Sequence, residues 1–336
     1  MNKKILLIGG AGYIGSILSE NFLSKNYKIR CFDSLIYSQK YCIKDLVKEK
    51  NYEFILGDIR NYNKIENLLK DITDVVILAG LVGDPITKKY PKESKEINYL
   101  ALKNFINKCN GKKIEKVIFI STCSNYGLID SNNKADENYI LKPLSNYAKY
   151  KVDMENYIMS LKGLVDYSPI VLRFATAFGL SPRMRFDLTV NEFTRDLFLK
   201  NNLIIYDANT WRPYCHVNDF ARLINIVLVS EKNKVNFEIF NAGGDKNNST
   251  KLGITERLKK YFPKLTLSFK DKGSDPRNYR VNFSKVKRIL GFEPKYTIDD
   301  GIKEIVVSLK KGKFIDRNKY SDYLGNYKIN NNEFTV

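Results

Sequence analysis

The chain has 336 residues and a formal net charge of +19, from 56 Lys and Arg against 37 Asp and Glu. Its content of 43% hydrophobic and 12% aromatic residues is that of an ordinary globular core and excludes a disordered or fibrous chain. The basic residues are spread along the sequence without a long block, which favours a surface that attracts small polyanions and predicts no nucleic-acid partner.

The composition also bears on location. The N-terminal lysines precede an apolar run, as in a secretion signal, but glycines in a phosphate-loop arrangement make a first strand and turn the better interpretation. No stretch approaches the ~20 apolar residues of a membrane span. We therefore predict a cytoplasmic protein with no membrane contact. We also predict no metal site, because the five cysteines fall in no metal-binding spacing: Cys31, Cys42, Cys109, Cys123 and Cys215.

Apolar runs of strand length alternate with helix-length segments through the first half of the chain. Buried parallel strands are typically near-continuous apolar runs, and their alternation with helices implies right-handed βαβ units. The predicted fold is α/β, a doubly wound parallel sheet of the Rossmann type with a smaller C-terminal α/β substrate-binding domain. The predicted strands cover residues 4–9, 28–33, 53–58, 74–80, 116–122 and 169–174, and the predicted helices Ile14–Ser24, Ile97–Cys109 and Tyr147–Leu161.

This pattern loosens after about residue 178, where a loop leads into shorter strands and helices. We expect residues 1–178 to form the nucleotide-binding domain and residues 179–330 the smaller domain. A later segment, about 210–245, is expected to return to the first domain.

A glycine-rich turn follows the first predicted strand and opens the first predicted helix. Gly9 allows the tight turn, Gly12 lets the backbone approach a pyrophosphate, and Gly15 lets helix and strand pack closely. The helix N-terminus then presents free N–H groups and a partial positive charge. Asp33 lies 18 residues beyond Gly15, where a carboxylate binds the ribose hydroxyls and repels a 2′-phosphate. We predict NAD as the cofactor, bound by Gly9, Gly12, Tyr13, Ile14, Gly15 and Asp33.

The Gly-x-x-Gly-x-x-Gly spacing of residues 9–15 resembles the extended short-chain dehydrogenases, which include NAD-dependent nucleotide-sugar epimerases, dehydratases and dehydrogenases. The resemblance spans nearly the whole chain. It implies that Asp58 and Ile59 contact the adenine and that Asn98 ties the central helix to the active-site strand. It also implies a stretch beneath the cofactor, made of Leu78, Ala79 and Gly80.

Tyr147 and Lys151 have the spacing Tyr-x-x-x-Lys, which places both on one face of a predicted helix. A free phenol has a pKa near ~10, but a neighbouring ammonium and the positive nicotinamide ring favour the phenolate. Lys151 can also hold the nicotinamide ribose. The resembling family carries a catalytic hydroxyl five residues before a glycine, and counting back from Gly127 gives Thr122. We predict a proton-abstraction and hydride-transfer site of Tyr147, Lys151 and Thr122.

The second half of the chain carries residues at positions where the family binds a nucleotide diphosphate. The resemblance implies that Asn191 caps the diphosphate, that arginines bind the nucleotide's phosphates or ribose, and that Thr176 contacts the sugar or its phosphate. Arginine suits this work because its planar fork matches phosphate geometry. We predict a nucleotide-diphosphate sugar as substrate, bound by Thr176, Arg183, Arg185, Asn191, Arg212 and Arg277.

The two residues after Thr122 bear on which reaction of the family this chain carries out. Dehydratase relatives carry an Asp-Glu pair there, whereas Cys123 and Ser124 are not suited to eliminating water. Oxidation at C4 of the sugar remains. Residues 181–193 and 275–283 resemble a branch acting on capsule and lipopolysaccharide sugars, from which we expect a GDP-heptose 4-dehydrogenase with a second oxidant that recycles NADH. The alternative is a UDP-hexose 4-epimerase, which returns the hydride to the opposite face.

A hypothesis from another class is a non-catalytic NAD-sensing regulator on the same fold. The catalytic set predicted above argues against it, because a binding module has no need of those residues. The lone histidine, His216, is expected to be structural, and the Cys123 thiol is expected to pack. The resemblance also implies a homodimer that packs helices at about residues 94–110 and 146–161.

Overall fold

A seven-stranded parallel sheet forms the centre of the protein, with strand order β10-β6-β5-β4-β1-β2-β3. The computed structural model describes residues 3–130, 133–271, 277–314 and 324–329. The strand order reverses direction between β1 and β4, which creates the crevice where such sheets bind ligands. The seven strands are β1 (Lys4–Ile8), β2 (Lys28–Asp33), β3 (Tyr52–Leu56), β4 (Asp74–Ile77), β5 (Lys116–Thr122), β6 (Ser168–Phe174) and β10 (Glu238–Ala242).

Smaller sheets lie beyond the large one. One has the strand order β11-β9-β7, and a parallel pair joins β12 to β8. A separate apolar cluster that includes Phe178, Phe193 and Ile302 forms the core of this part. Its strands are β7 (Thr176–Phe178), β8 (Asn202–Tyr206), β9 (Trp211–His216), β11 (Asn248–Thr250) and β12 (Thr266–Lys270).

Helices cover both faces of the large sheet. Successive residues of β1 enter different cores: Ile5 and Leu7 pack in one cluster, and Leu6 and Ile8 pack in the other. This alternation is what a doubly wound sheet requires. The α-helices are α1 (Tyr13–Leu23), α2 (Ile65–Leu69), α3 (Asp84–Lys89), α4 (Pro91–Lys95), α5 (Leu102–Lys108), α6 (Asn146–Ser160), α7 (Thr189–Lys200), α8 (Val217–Val229), α9 (Lys232–Val235), α10 (Lys251–Leu258), α11 (Ser284–Leu290) and α12 (Ile298–Lys310).

The predicted α/β fold is confirmed, and one predicted helix differs in form. The segment expected as a single helix at Ile97–Cys109 is a π-helical turn, Glu96–Ala101, followed by α5. The sequence pattern could not separate the two, because a single π-helical turn next to an α-helix is rare and alters the spacing only locally.

The segment at about residues 210–245 contributes to both parts of the molecule. Strand β10 pairs with β6 at the edge of the large sheet, and α8 packs against α1. Strand β9, by contrast, pairs with β7 and β11 in the three-stranded sheet. The chain therefore enters the smaller part after β6 and returns to the large sheet before leaving it again.

Candidate active site

A cavity of about 810 Å³ lies at the carboxyl ends of the parallel strands and reaches into the smaller part of the protein. Asn98 and Asn191 are the two predicted site residues that do not line this cavity. All the others line it: Gly9, Gly12, Tyr13, Ile14, Gly15, Asp33, Asp58, Ile59, Leu78, Ala79, Gly80, Thr122, Tyr147, Lys151, Thr176, Arg183, Arg185, Arg212 and Arg277.

At two glycines of the turn between β1 and α1, an added Cβ would meet backbone atoms. Gly9 has φ +81°, and a Cβ added there would lie 2.6 Å from the Ala79 backbone nitrogen. A Cβ on Gly15 would lie 2.5 Å from the Gly10 carbonyl oxygen. In the described part of the chain no side chain caps the start of α1 at Gly12, so its first N–H groups are available to a phosphate.

Asp33 ends β2 beside this turn and is 8% exposed. Its Oδ2 accepts a hydrogen bond from the Ala11 N–H at 2.9 Å, and its Oδ1 accepts one from the Leu35 N–H at 2.8 Å. Burial raises the pKa of Asp33, while these two hydrogen bonds and the positive charge of Arg183 act in the opposite direction. A fixed carboxylate next to an uncapped helix N-terminus fits the ribose and diphosphate of NAD.

The remaining cofactor wall follows β3 and β4. Asp58 is held by a two-pronged contact with Arg60, with Nη2 to Oδ2 at 2.7 Å and Nε to Oδ1 at 3.0 Å. This ion pair fixes the loop that the sequence predicted to face the adenine. Ile59 and the stretch Leu78–Gly80 complete this side of the cavity.

Asn98 lies outside the cavity wall and does not make the contact that we expected. Its Oδ1 accepts a hydrogen bond from the Leu81 N–H at 2.7 Å, and its Nδ2 donates to the Leu81 carbonyl at 3.0 Å. The side chain therefore ties the π-helical turn to the segment after β4, not to the active-site strand β5. It lies next to the cofactor wall at Gly80, where an added Cβ would be 2.9 Å from Asn98 Oδ1.

Tyr147 and Lys151 lie one turn apart near the start of α6, and Thr122 is the last residue of β5. The Lys151 ammonium lies 5.9 Å from the centre of the Tyr147 ring and donates to the Ile120 carbonyl at 2.6 Å. The Thr122 hydroxyl accepts a hydrogen bond from the Ser124 N–H at 3.1 Å. All three side chains face the same cavity as the glycine turn.

Burial dominates the ionisation of this pair. It lowers the pKa of Lys151 to about 7, against the effect of Glu155, and it raises the pKa of Tyr147 to about 12, against the effect of Arg185. Burial thus outweighs the charges of Arg185 and Arg277, and the pKa of the phenol is raised overall, contrary to our expectation that Lys151 lowers it. The positive nicotinamide ring is the further charge that favours the phenolate.

A buried network behind the pair was not found from the sequence. Glu155, one turn after Lys151, accepts hydrogen bonds from the Ser121 hydroxyl and from Asn125 Nδ2, and pairs with Arg173 at 2.7 Å. It joins α6 to the ends of β5 and β6. The spacing of four residues from Lys151 was its only sequence signal.

The far end of the cavity is built from side chains of three separate segments. Arg277 donates to the Ser124 hydroxyl at 3.1 Å and pairs with Asp84 at 3.3 Å. The Arg212 guanidinium lies 5.1 Å from the centre of the Tyr279 ring. Tyr279 was not predicted, although it lies only two residues after Arg277. This end offers cations and hydroxyls to a charged, hydroxylated ligand.

Asn191 does not reach the cavity, contrary to the expectation that it caps a diphosphate. It is fully buried on α7. Its Oδ1 accepts from the Gly179 N–H at 3.0 Å, and its Nδ2 donates to the Tyr13 hydroxyl at 3.0 Å and to the Arg185 carbonyl at 2.9 Å. Both ends of its amide are thus used in joining α7, α1 and the loop after β7.

The two arginines of that loop point to different places. Arg185 pairs with Asp187 at 2.5 Å, and its charge acts on the Tyr147 phenol. Arg183 lies 4.6 Å over the Tyr37 ring, on the side of the cavity formed by the loop after Asp33. The structure therefore places Arg183 with the cofactor wall and not with the other predicted substrate residues.

His216 is buried in a structural contact. Its Nε2 lies 2.7 Å from Glu304 Oε1, and its Nδ1 accepts from the Asn218 N–H at 3.2 Å, which caps α8. The described residues contain no group of three or more His, Cys, Asp or Glu side chains that could hold a metal ion. Within the same ranges, no helix has the length and apolar character needed to cross a membrane.

Comparison with known proteins agrees with this geometry. The uncharacterized UDP-glucose epimerase YtcB of Bacillus subtilis is 28% identical, over 89% of this chain and 95% of its own length. The UDP-glucuronate 4-epimerase of Thermodesulfobacterium geofontis is 25% identical, over 90% of this chain and 94% of its own length.

Among solved structures, UDP-glucuronic acid 4-epimerase from Bacillus cereus, in complex with UDP-glucuronic acid and NAD, superposes with a TM-score of 0.82 at 26% identity. The match covers 92% of this chain and 99% of that one. The sequence model of the NAD-dependent epimerase/dehydratase family matches residues 5–243, well over half of the chain. The chain belongs to the NAD-dependent epimerase/dehydratase family, whose members act on nucleotide sugars.

Proposed function

We propose that the protein is a UDP-hexose 4-epimerase. The observation that carries the proposal is the convergence of Thr122, Tyr147 and Lys151 on the cavity that also contains the glycine turn. This set is sufficient for oxidation and re-reduction at one ring carbon. The relatives reported above are named for UDP-glucose and UDP-glucuronate, which favours a UDP-sugar over the GDP-heptose that we expected.

The residues divide the chemistry between them. NAD, when bound, supplies the acceptor for the C4 hydride and can return it. The Thr122 hydroxyl hydrogen-bonds the sugar O4, and Tyr147 takes the O4 proton as the C4–H bond breaks and C4=O forms. Lys151 holds the ribose next to the phenol. After the 4-keto sugar turns its other face towards the cofactor site, Tyr147 would return the proton to O4 as C4 is reduced again.

The residues after Thr122 support epimerisation over dehydration. The Cys123 thiol is buried and donates to the Arg173 carbonyl at 3.1 Å, and burial raises its pKa. Ser124 offers a hydroxyl in contact with Arg277. Neither side chain can act as the acid–base pair that removes water from the ring. An epimerase also needs no second oxidant, since the hydride returns to the sugar.

A panel of nucleotide sugars tests the proposal. We expect the purified protein to interconvert UDP-glucose and UDP-galactose, or another C4 pair of UDP-hexoses, as followed by proton NMR, with no net rise in NADH absorbance. Accumulation of NADH with loss of two hydrogens from GDP-heptose, measured by mass spectrometry, would overturn it in favour of the 4-dehydrogenase. The Tyr147→Phe variant controls for contaminating activity.

The quaternary state is a further part of the proposal. We propose a homodimer that packs α6 and the helical segment at residues 91–108, the helices expected from the resemblance. Gel filtration with light scattering measures the mass, and a monomer at working concentration would contradict this arrangement.

A further inference from the structure

The guanidinium of Arg183 is buried and forms no ion pair with a carboxylate in the part of the chain that the structure describes. Its side chain is 1% exposed, and its Nη2 donates to the Gly325 carbonyl at 3.1 Å. Its Nε is buried and has no hydrogen-bond partner among residues 3–130, 133–271, 277–314 and 324–329. The neighbouring Arg185, by contrast, is neutralised by Asp187. A buried, uncompensated guanidinium destabilises the protein unless an anion pairs with it, so Arg183 is expected to face an anionic ligand.

The loop that carries Arg183 packs directly on the first turns of α1. The Ser181 hydroxyl donates to the Tyr13 carbonyl at 2.7 Å and lies 3.0 Å from the Ser16 hydroxyl. The Tyr13 hydroxyl in turn donates to the Gly179 carbonyl at 2.6 Å. These contacts bring Arg183 to the end of α1 whose free N–H groups attract phosphate.

The other neighbours of Arg183 also belong to the cofactor wall. Its guanidinium lies 4.6 Å over the ring of Tyr37, four residues beyond Asp33, and its charge acts on the Asp33 carboxyl. The arginines at the opposite end contact different residues: Arg277 contacts Ser124, and Arg212 lies over Tyr279. The cavity therefore contains two separate cationic positions, one at each end.

We propose that Arg183 binds the diphosphate of NAD together with the N-terminus of α1, and that the substrate's diphosphate is bound at the other end. The guanidinium is suited to this because it can form two parallel hydrogen bonds to phosphate oxygens. The cofactor thereby acquires a side-chain cation in addition to the backbone N–H groups of the glycine turn. The inference does not rest on the proposed epimerase reaction, because it concerns cofactor binding alone.

Calorimetry on protein freed of its cofactor tests this assignment with five ligands: NAD, NADP, ADP-ribose, adenosine and UDP. We expect Arg183→Gln to weaken NAD and ADP-ribose by about 10–100-fold, the usual worth of a charged hydrogen bond, and to leave adenosine and UDP unchanged. The matched control, Arg212→Gln, should show the reverse, with UDP weakened and NAD unchanged. The NAD that stays with each protein through gel filtration is a second readout.

Two results would overturn the proposal. Weakened UDP with unchanged NAD in Arg183→Gln would assign the residue to the substrate. A loss confined to NADP, with NAD unchanged, would place Arg183 at the 2′-phosphate instead. Unchanged adenosine and UDP affinities show that the variant is folded. If Arg183→Gln does not fold, Arg183→Lys keeps the charge but not the fork and is expected to show a smaller loss for NAD and ADP-ribose only.

Discussion

The two ends of the cavity are built in different ways. The cofactor end is formed largely by backbone: a glycine turn, a helix N-terminus and strand ends within the first 80 residues. The substrate end is formed by side chains from the end of β5, from β9 and from residues 277–279. Binding at the cofactor end therefore depends on the space that small residues leave for the ligand. Binding at the substrate end depends on the functional groups of the side chains. Substitutions should therefore fail in different ways at the two ends.

Tyr147 lies where the two ends meet, and its removal should have the largest effect. We expect Tyr147→Phe to lower kcat by about 10²–10⁴-fold, because the proton of the sugar hydroxyl loses its acceptor. The NAD content of the purified protein should stay unchanged, because the phenyl ring of the variant occupies the same volume as the ring of Tyr147. An equal loss of activity and NAD would show that the phenol supports the cofactor site instead.

Glycine substitutions test whether the cofactor end depends on backbone space. Gly111 has φ +74°, and beyond its chain neighbours no atom of the described residues lies within 4 Å of an added Cβ, so Gly111→Ala should cost about 1–2 kcal/mol for its left-handed conformation alone. Gly9 has φ +81° but an added Cβ would meet Ala79, so Gly9→Ala should cost about 1–3 kcal/mol more and reduce NAD content. Urea unfolding measures both. Similar losses in the two variants would contradict the steric argument.

Arg212 tests the side-chain end. We expect Arg212→Gln to raise KM for the UDP-sugar by about 10–100-fold while kcat changes little, because a diphosphate contact is equal in ground and transition states. Steady-state kinetics on the sugar identified by the panel measures this split. A fall in kcat at unchanged KM would instead place Arg212 at the reacting carbon.

The effect of Lys151 appears only as a dependence of stability on pH. Burial lowers its pKa from the ordinary 10.5 to about 7, so between these values the unfolded chain binds more protons than the folded one. Its contribution to the free energy of unfolding therefore rises with pH in this window, by at most about 1.4 kcal/mol per unit. Lys151→Met removes that dependence, so its stability relative to the natural protein should be greatest near pH 7 and fall as pH rises.

Urea unfolding of cofactor-free protein across the same window measures the change. Lys149→Met, an exposed lysine on the same helix, is the matched control and should leave the slope unaltered. A parallel pH dependence in the natural protein and Lys151→Met would show that the pKa of Lys151 is the same in the folded and the unfolded chain.

The same contrast explains what the sequence could predict. The α/β fold, NAD and the family were predicted because their signals are local: apolar runs, the spacing of Gly9, Gly12 and Gly15, and Asp33 at a strand end. A binding site formed by the backbone requires small residues at fixed positions along a short segment. No side chain from elsewhere in the chain can create that space. Tyr147 and Lys151 were found for the same reason, because both lie within one helical turn.

The remaining predictions depended on side-chain direction, which sequence position does not give. Asn191 and Asn98 lie near the expected places, but their side-chain amides hydrogen-bond to the backbone. Asn191 contacts Gly179 and Arg185, and Asn98 contacts Leu81. Arg183 and Arg185 are two residues apart, but Arg183 lies over the Tyr37 ring whereas Arg185 pairs with Asp187 and acts on the Tyr147 phenol. Tyr279 was missed, although Arg277 of the same segment was predicted, because the sequence does not give the direction of its side chain.

The outermost strand of the large sheet has a consequence for dissecting the protein. Strand β10 joins β6 only after the chain has already contributed α7, β8 and β9 to the smaller part. A fragment ending at residue 178 would leave one side of β6 without its neighbour, exposing a row of unpaired N–H and C=O groups that recruit other chains. Expressed alone, the first half should aggregate, and joining it to residues 217–242 by a short linker should restore a soluble, autonomous unit.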